Sequence, residues 1–279
     1  MIRSKLQPSN HFKFILICFS FLLFLLFLSK SSFQWSKRIS EIPEWNSTQI
    51  PSTCSKIPPS LANALIHYAT TNITPQQTFK EVSVSARVLA RRGSCNFLVF
   101  GLGRDSVMWA ALNHGGRTVF LEEDAAWIDQ IKQNSPDLEI YHVEYDTKVK
   151  QADVLLQMGV REECTVVGDP RSSVCRLAHK GFPDDIYNTE WDLIMVDAPT
   201  GYHDEAPGRM TAIYTSGLMA RNRAEGETDV FVHDVNRVVE DKFSKAFLCE
   251  GYMKEQEGLL RHFTIPSHRN RPDTPFCPN

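Results

Sequence analysis

Cys95-Asn96-Phe97-Leu98-Val99-Phe100-Gly101-Leu102-Gly103-Arg104-Asp105 is the stretch from which the fold is read. A short apolar run ends in Gly-Leu-Gly, and helix-forming residues from Ser106 to Asn113 follow at once. Strand, glycine turn, helix is how doubly wound α/β folds bring backbone close to a nucleotide-like ligand. A β-carbon would obstruct the tight turn or the ligand's approach, which makes Gly101 and Gly103 candidate cofactor-binding residues. A second apolar run, Thr118 to Leu121, ends in Glu122-Glu123-Asp124. An acidic residue roughly twenty positions after the glycines suits the two hydroxyls of a ribose, and Glu122 is the candidate. The bland alternative is an ordinary tight turn. A G-x-G-x-x-G fingerprint would require glycine at position 106, which is Ser106; this tilts the reading from a nicotinamide cofactor towards S-adenosylmethionine.

Outward from the turn, strands and helices alternate. Asn96 to Phe100 predicts the first strand, and Arg117 to Leu121, after Gly115-Gly116, the second. A helix follows from near Ala125 to Gln133, then a strand from Leu138 to Tyr145 and a helix from Lys148 to Gln157. Arg161 to Thr189 has no clear period and carries Cys164 and Cys175, as an insertion pinned by a disulfide would. Trp191 to Val196, ending at Asp197, predicts a buried central strand. A helix from Thr211 to Asn222, a strand from Asp229 to Val232 ending in His233-Asp234, and a helix from Val238 to Leu248 come next. Gly251 to Gln256 and Leu259 to Ile265 predict a closing hairpin. Upstream, Ser60 caps a short helix to Ala69, and Thr74-Pro75-Gln76-Gln77 starts a second that Gly93 stops. These two helices are expected to cover one edge of the sheet. The pattern predicts an α/β, Rossmann-like domain whose mostly parallel sheet is closed by an antiparallel hairpin, the outline of S-adenosylmethionine-dependent methyltransferases.

The chain has 279 residues, 42% hydrophobic and 23% charged, with formal net charge -3. That balance excludes a chain-wide electrostatic grip on nucleic acid. Residues 14–28, Phe14 to Leu28, are apolar apart from Cys18 and Ser20. They predict a signal-anchor helix, preceded by a cytoplasmic segment 1–13 and followed by a stem 29–59 and a domain 60–279. A cleaved signal peptide is the rival, but Ser29-Lys30-Ser31-Ser32 makes a poor cleavage site. Flanking basic residues do not set the orientation, since both sides carry them. Asn46-Ser47-Thr48 and Asn72-Ile73-Thr74 are glycosylation acceptors if the domain is lumenal. Six cysteines past the anchor allow up to three disulfides in an oxidising compartment. Together these signals predict a single-pass protein with its C-terminal bulk in the secretory lumen.

Candidate chemistry clusters after the strands: Glu122, Asp146, Asp197, His203-Asp204-Glu205 and His233-Asp234. Asp146 and Asp197 join the glycines and Glu122 as cofactor-side candidates. Methyl transfer needs an acceptor oxygen in line with the sulfonium and a group to take its proton. His203 and His233 are the base candidates, with Asp204 an orienting partner for the first. Asp197 and Asp234 are orienting partners or hard oxygen ligands for a divalent cation. Arg209 and Arg221, with Arg223, offer guanidinium forks for an acidic substrate, and Tyr202 an aromatic face for a sugar. Each has a plain structural alternative as a cap or a solvated surface group.

Several segments resemble the plant cell-wall polysaccharide methyltransferase family. They are Phe97 to Ser106, Leu112-Asn113-His114-Gly115-Gly116-Arg117-Thr118, Leu121-Glu122-Glu123-Asp124, Val196-Asp197-Ala198-Pro199-Thr200-Gly201-Tyr202-His203, Glu205-Ala206-Pro207-Gly208-Arg209-Met210 and Phe231-Val232-His233-Asp234-Val235-Asn236-Arg237. The likeness runs from Thr74 to Cys277 and is nearest the glucuronoxylan 4-O-methyltransferase branch. It implies a Golgi membrane enzyme of type II topology that transfers a methyl group from S-adenosylmethionine to the 4-hydroxyl of glucuronate on xylan. Arginines near Arg209 would then meet a uronate. Sister branches methylate arabinogalactan or serve xylan synthesis without an established transferase activity. The latter branch tends to lose the Gly-x-Gly turn, which this chain keeps.

Overall fold

The computed structural model describes residues 57–271 and 274–278, within a compact unit from Ile57 to Asn279. The segments 1–13 and 14–28, nearly all of the stem 29–59, Asn46 and Cys54 lie outside the described residues. Among the described residues seven strands form one sheet: β1 Asn96–Phe100, β2 Arg117–Glu122, β3 Glu139–His142, β4 Leu193–Val196, β5 Glu227–Val232, β6 Met253–Glu257 and β7 Leu260–Pro266. Their spatial order is β3-β2-β1-β4-β5-β7-β6. β1 to β5 are parallel, and β7 enters antiparallel between β5 and β6. The fold is therefore α/β and Rossmann-like, a mostly parallel sheet closed by an antiparallel hairpin. Strand order reverses at β1, so the crevice beyond the carboxyl ends of β1 and β4 is where such a sheet takes its ligand.

Alternation along the strands divides the core into two layers. Leu98, Phe100, Ile194, Val196, Val230 and Val232 face a layer with the helix Met210–Asn222. Phe97, Val99, Leu193, Met195 and Phe231 face the other, where Val84, Val88 and Leu89 of the helix Phe79–Arg92 pack with Trp109. That helix thus covers a face of the sheet, where an edge was expected. The short helix Pro59–Thr70 has Pro58 at its cap position, while Ser60, the expected cap, sends its hydroxyl to His114 at 3.0 Å.

One boundary matters for the site. The second helix begins at Phe79, where Thr78 and Glu81 form a reciprocal capping box. Thr74 and Gln77 have the same spacing, but Glu81 is charged, closes both bonds and lies nearer the apolar stripe. Thr74 to Gln77 is consequently loop. Further on, the helix Val238–Phe243 continues as a π-helical turn Ser244–Cys249. Disulfides join Cys164 to Cys175 and Cys249 to Cys277, and Cys95 is free and buried.

Candidate active site

A cavity of about 1220 Å³ opens beyond the carboxyl ends of β1, β2, β4 and β5. One small ligand fills roughly 300–1,000 Å³, so a cofactor and part of an acceptor fit together. At its floor, the Gly101 amide donates to Leu121 O at 2.7 Å. Gly101 has φ +118°, and a β-carbon there would stand 3.1 Å from Ala198 Cβ. Ser106, at the place of the missing third glycine, accepts the Gly103 N–H at 3.0 Å.

Glu122 is buried beneath this turn. Its Oε2 accepts the Leu102 N–H at 2.9 Å and its Oε1 the Asp124 N–H at 3.0 Å. Burial, helped by the charge of Glu123, pushes its carboxyl up to about 7. Glu122 thus shapes the turn through backbone amides. Beside it Glu123 uses Oε1 to hold the Thr200 N–H at 2.8 Å, while its buried Oε2 has no hydrogen-bond partner. Glu123, not singled out by the sequence pattern, is the acid at this strand end with a buried oxygen left unpaired.

Asp197, at the end of β4, and His233, at the end of β5, meet across the sheet. His233 Nδ1 lies 3.2 Å from Asp197 Oδ1. Burial pulls the imidazole down, but the hydrogen bond and charge of Asp197 prevail and raise it above 6.5. Asp197 shifts the opposite way: burial would raise it, and His233 and Arg209 hold it below the usual carboxylate range. His233 Nε2 is buried without a hydrogen-bond partner, and Glu81 Oε1 stands 3.9 Å from it. Gln77, from the loop before the capping box, donates to Asp197 Oδ2 at 3.3 Å. Asp234 adopts φ +61°, a conformation Asp tolerates better than most residues. Ligand atoms of Asp197, His233 and Asp234 lie within 4.8 Å of one another, a donor set of oxygen and imidazole that suits a divalent cation.

Arg209 is buried among these groups. Its Nη2 lies 3.2 Å from Asp197 Oδ1 and 3.0 Å from Asp234 Oδ2, and Glu240 Oε1 is 3.7 Å from Nε. It also donates to the carbonyls of Asp197, Pro199 and His233. The expected substrate fork is therefore committed to the protein and organises the cluster.

Other sequence candidates fall elsewhere. His203 and Asp204 are exposed and do not line the cavity; their turn is tied down where Asp204 O accepts the Lys150 N–H at 3.1 Å. Tyr202 does line it and is 76% exposed. Asp146 turns away to pair with Arg176 at 2.7 Å. Arg221 is fully buried at the far end of its helix, donating to Gly217 O, Phe276 O and Cys249 Sγ. It secures the C-terminal tail and reaches no substrate site. Arg223 likewise pairs with Asp192 at 3.2 Å. Phe79, 87% exposed on the rim, and the half-buried Asp105, whose carboxyl is raised chiefly by desolvation, line the cavity unforeseen.

The family model described as IRX15/IRX15L/GXM matches residues 80–263. Glucuronoxylan 4-O-methyltransferase 1 of Arabidopsis thaliana is 61% identical, covering 99% of this chain and 100% of its own. Arabinogalactan O-methyltransferase 2 of the same plant is 50% identical over 78% of each chain. A solved O-methyltransferase from Bacillus cereus in complex with SAH has a TM-score of 0.42 at 14% identity, covering 74% of this chain and 90% of its own. The matched span takes in every strand-end residue of the cavity from Gly101 to Asp234, and the chain belongs to the IRX15/IRX15L/GXM family.

Proposed function

We propose that the chain transfers the methyl group of S-adenosylmethionine to the 4-hydroxyl of glucuronate side chains on glucuronoxylan. The observation that carries the acceptor is the 61% identity, over 99% of the chain, to a protein named for that reaction. The geometry supplies the means. The glycine turn and Glu123 receive the cofactor, and the His233–Asp197 pair opens on the same cavity. The acceptor oxygen attacks the methyl carbon in line; the O–C bond forms as the S–C bond breaks, and S-adenosylhomocysteine leaves. His233 takes the hydroxyl proton, and Asp197 stabilises the imidazolium. Arg209 keeps Asp197 ionised and in place.

The carboxylates of Asp197 and Asp234, beside Arg209, would hold a divalent cation, which when bound would acidify the acceptor hydroxyl. The apolar run at 14–28 supports a Golgi membrane anchor, and two disulfides fit a lumenal domain. Among the described residues no helix is long and apolar enough to cross a membrane. Asn72 is exposed on the cavity rim, so a glycan there would border the acceptor's entry.

The test incubates the full chain with S-adenosylmethionine and, separately, glucuronoxylan and arabinogalactan, with and without a chelator. 4-O-methyl-glucuronate on xylan, lost on chelation and restored by a divalent cation, is the expected result. Unchanged activity in chelator removes the cation. Methylation of arabinogalactan alone, the reading that the 50% identical relative favours, replaces the acceptor. A folded chain that binds no cofactor would point to a non-catalytic part in xylan synthesis.

A further inference from the structure

Three guanidiniums line the cavity, and two are neutralised by the protein. Arg209 lies among Asp197, Asp234 and Glu240. Arg237 pairs with Asp234 at 2.9 Å and stands 3.7 Å from Glu240. Arg104 differs: it is exposed on the cavity wall, and its side chain makes no hydrogen bond or ion pair among the described residues. Its backbone is nonetheless anchored. The Tyr68 hydroxyl donates to Arg104 O at 2.8 Å and accepts the Met108 N–H at 3.3 Å. Burial pushes the Tyr68 phenol up to about 12, which keeps it a neutral donor. Arg104 thus presents an unpaired cation from a fixed turn next to Gly103.

Six carboxylates line the same cavity. A ligand carboxylate entering it is repelled unless a cation is free to meet it. A guanidinium answers a carboxylate with two parallel N–H donors, and among the described residues the other two cavity arginines, Arg209 and Arg237, already face protein carboxylates. We propose that Arg104 is the carboxylate-binding residue of this cavity. Two carboxylates could reach it: the glucuronate of the acceptor, or the aminoacyl end of S-adenosylmethionine. Both sources rest on the function proposed above, the first on its acceptor and the second on its cofactor alone.

The test compares the full-length chain with its Arg104→Gln and Arg104→Lys variants by calorimetry. Because Tyr68 holds the Arg104 carbonyl, both variants should melt with the wild type. The ligands are S-adenosylhomocysteine, 5′-methylthioadenosine (which lacks the aminoacyl group), and a glucuronate-bearing xylo-oligosaccharide with its carboxyl-reduced counterpart. If the uronate is the partner, Arg104→Gln raises the Kd of the acidic oligosaccharide about tenfold or more. The reduced oligosaccharide and S-adenosylhomocysteine then bind as before. If the cofactor carboxylate is the partner, S-adenosylhomocysteine weakens by a similar factor and 5′-methylthioadenosine does not. Lysine should recover part of either loss. Unchanged Kd for every ligand overturns the proposal, whether or not the wild-type chain methylates glucuronoxylan. Turnover of xylan is scored separately, so failure of the acceptor reading is told apart from failure of Arg104.

Discussion

Arg209 illustrates what a buried cation does among three carboxylates. Its neighbours Asp197, Asp234 and Glu240 come from three different elements, and its donors also reach backbone carbonyls. Lysine keeps the charge but cannot span these partners, since an ammonium lacks the planar fork. Arg209→Lys is expected to lower stability by about 2–4 kcal/mol, because buried charges lose their partner, and to abolish turnover; a thermal melt with a methyl-transfer assay checks both. His203→Ala should keep the wild-type rate, as the side chain lies outside the cavity. A rate loss there would return the base to the Tyr202-His203 turn. Sequence alone could not separate the two histidines, because both follow strands; the difference is that His233 is covered by Glu81 and Arg209 while its rival projects into solvent.

At the scale of elements, a second polar cluster ties the sheet together at the opposite end of β5. Asp229 accepts from Arg92 Nη2 at 2.7 Å and from Thr264 Oγ1 at 2.8 Å, and lies 2.8 Å from His262 Nε2. Burial alone would raise its carboxyl, but these partners hold it down at about 2. A depressed acid stabilises the fold above its unfolded pKa and loses that contribution as pH falls towards the folded one. Wild type should therefore exceed Asp229→Asn by a pH-dependent margin of about 2 kcal/mol at pH 6, vanishing between pH 4 and pH 2. Chemical denaturation at stepped pH measures it, and a constant gap would refute the assignment. Strands β1 and β2 were legible because their apolar runs stop at glycine or acid. The loop Thr74 to Gln77 was not, since two overlapping capping patterns compete and only packing shows that the one at Thr78 prevails. That register shift places Gln77 and Phe79 on the cavity.

At the scale of the whole molecule, β1 sits where strand order reverses, and the glycine turn and the His233–Asp197 pair line one cavity there. Strand ends mark in the sequence where chemistry gathers, and Asp197, His233 and Asp234 are legible from that alone. Burial was not visible in the same way. Arg221 follows a stretch of small and apolar residues, and the returning tail, tied by Cys249–Cys277, helps make it an interior group. The central claim is that His233 takes the proton from the acceptor hydroxyl in a cavity that also holds the cofactor. The most direct measurement is single-turnover methyl transfer to glucuronoxylan by the full chain and by His233→Gln, with S-adenosylhomocysteine affinity determined for both. The account predicts 4-O-methyl-glucuronate from the wild type, and from the variant equal affinity with a rate lower by about 100-fold or more. A variant that transfers methyl at the wild-type rate would contradict it.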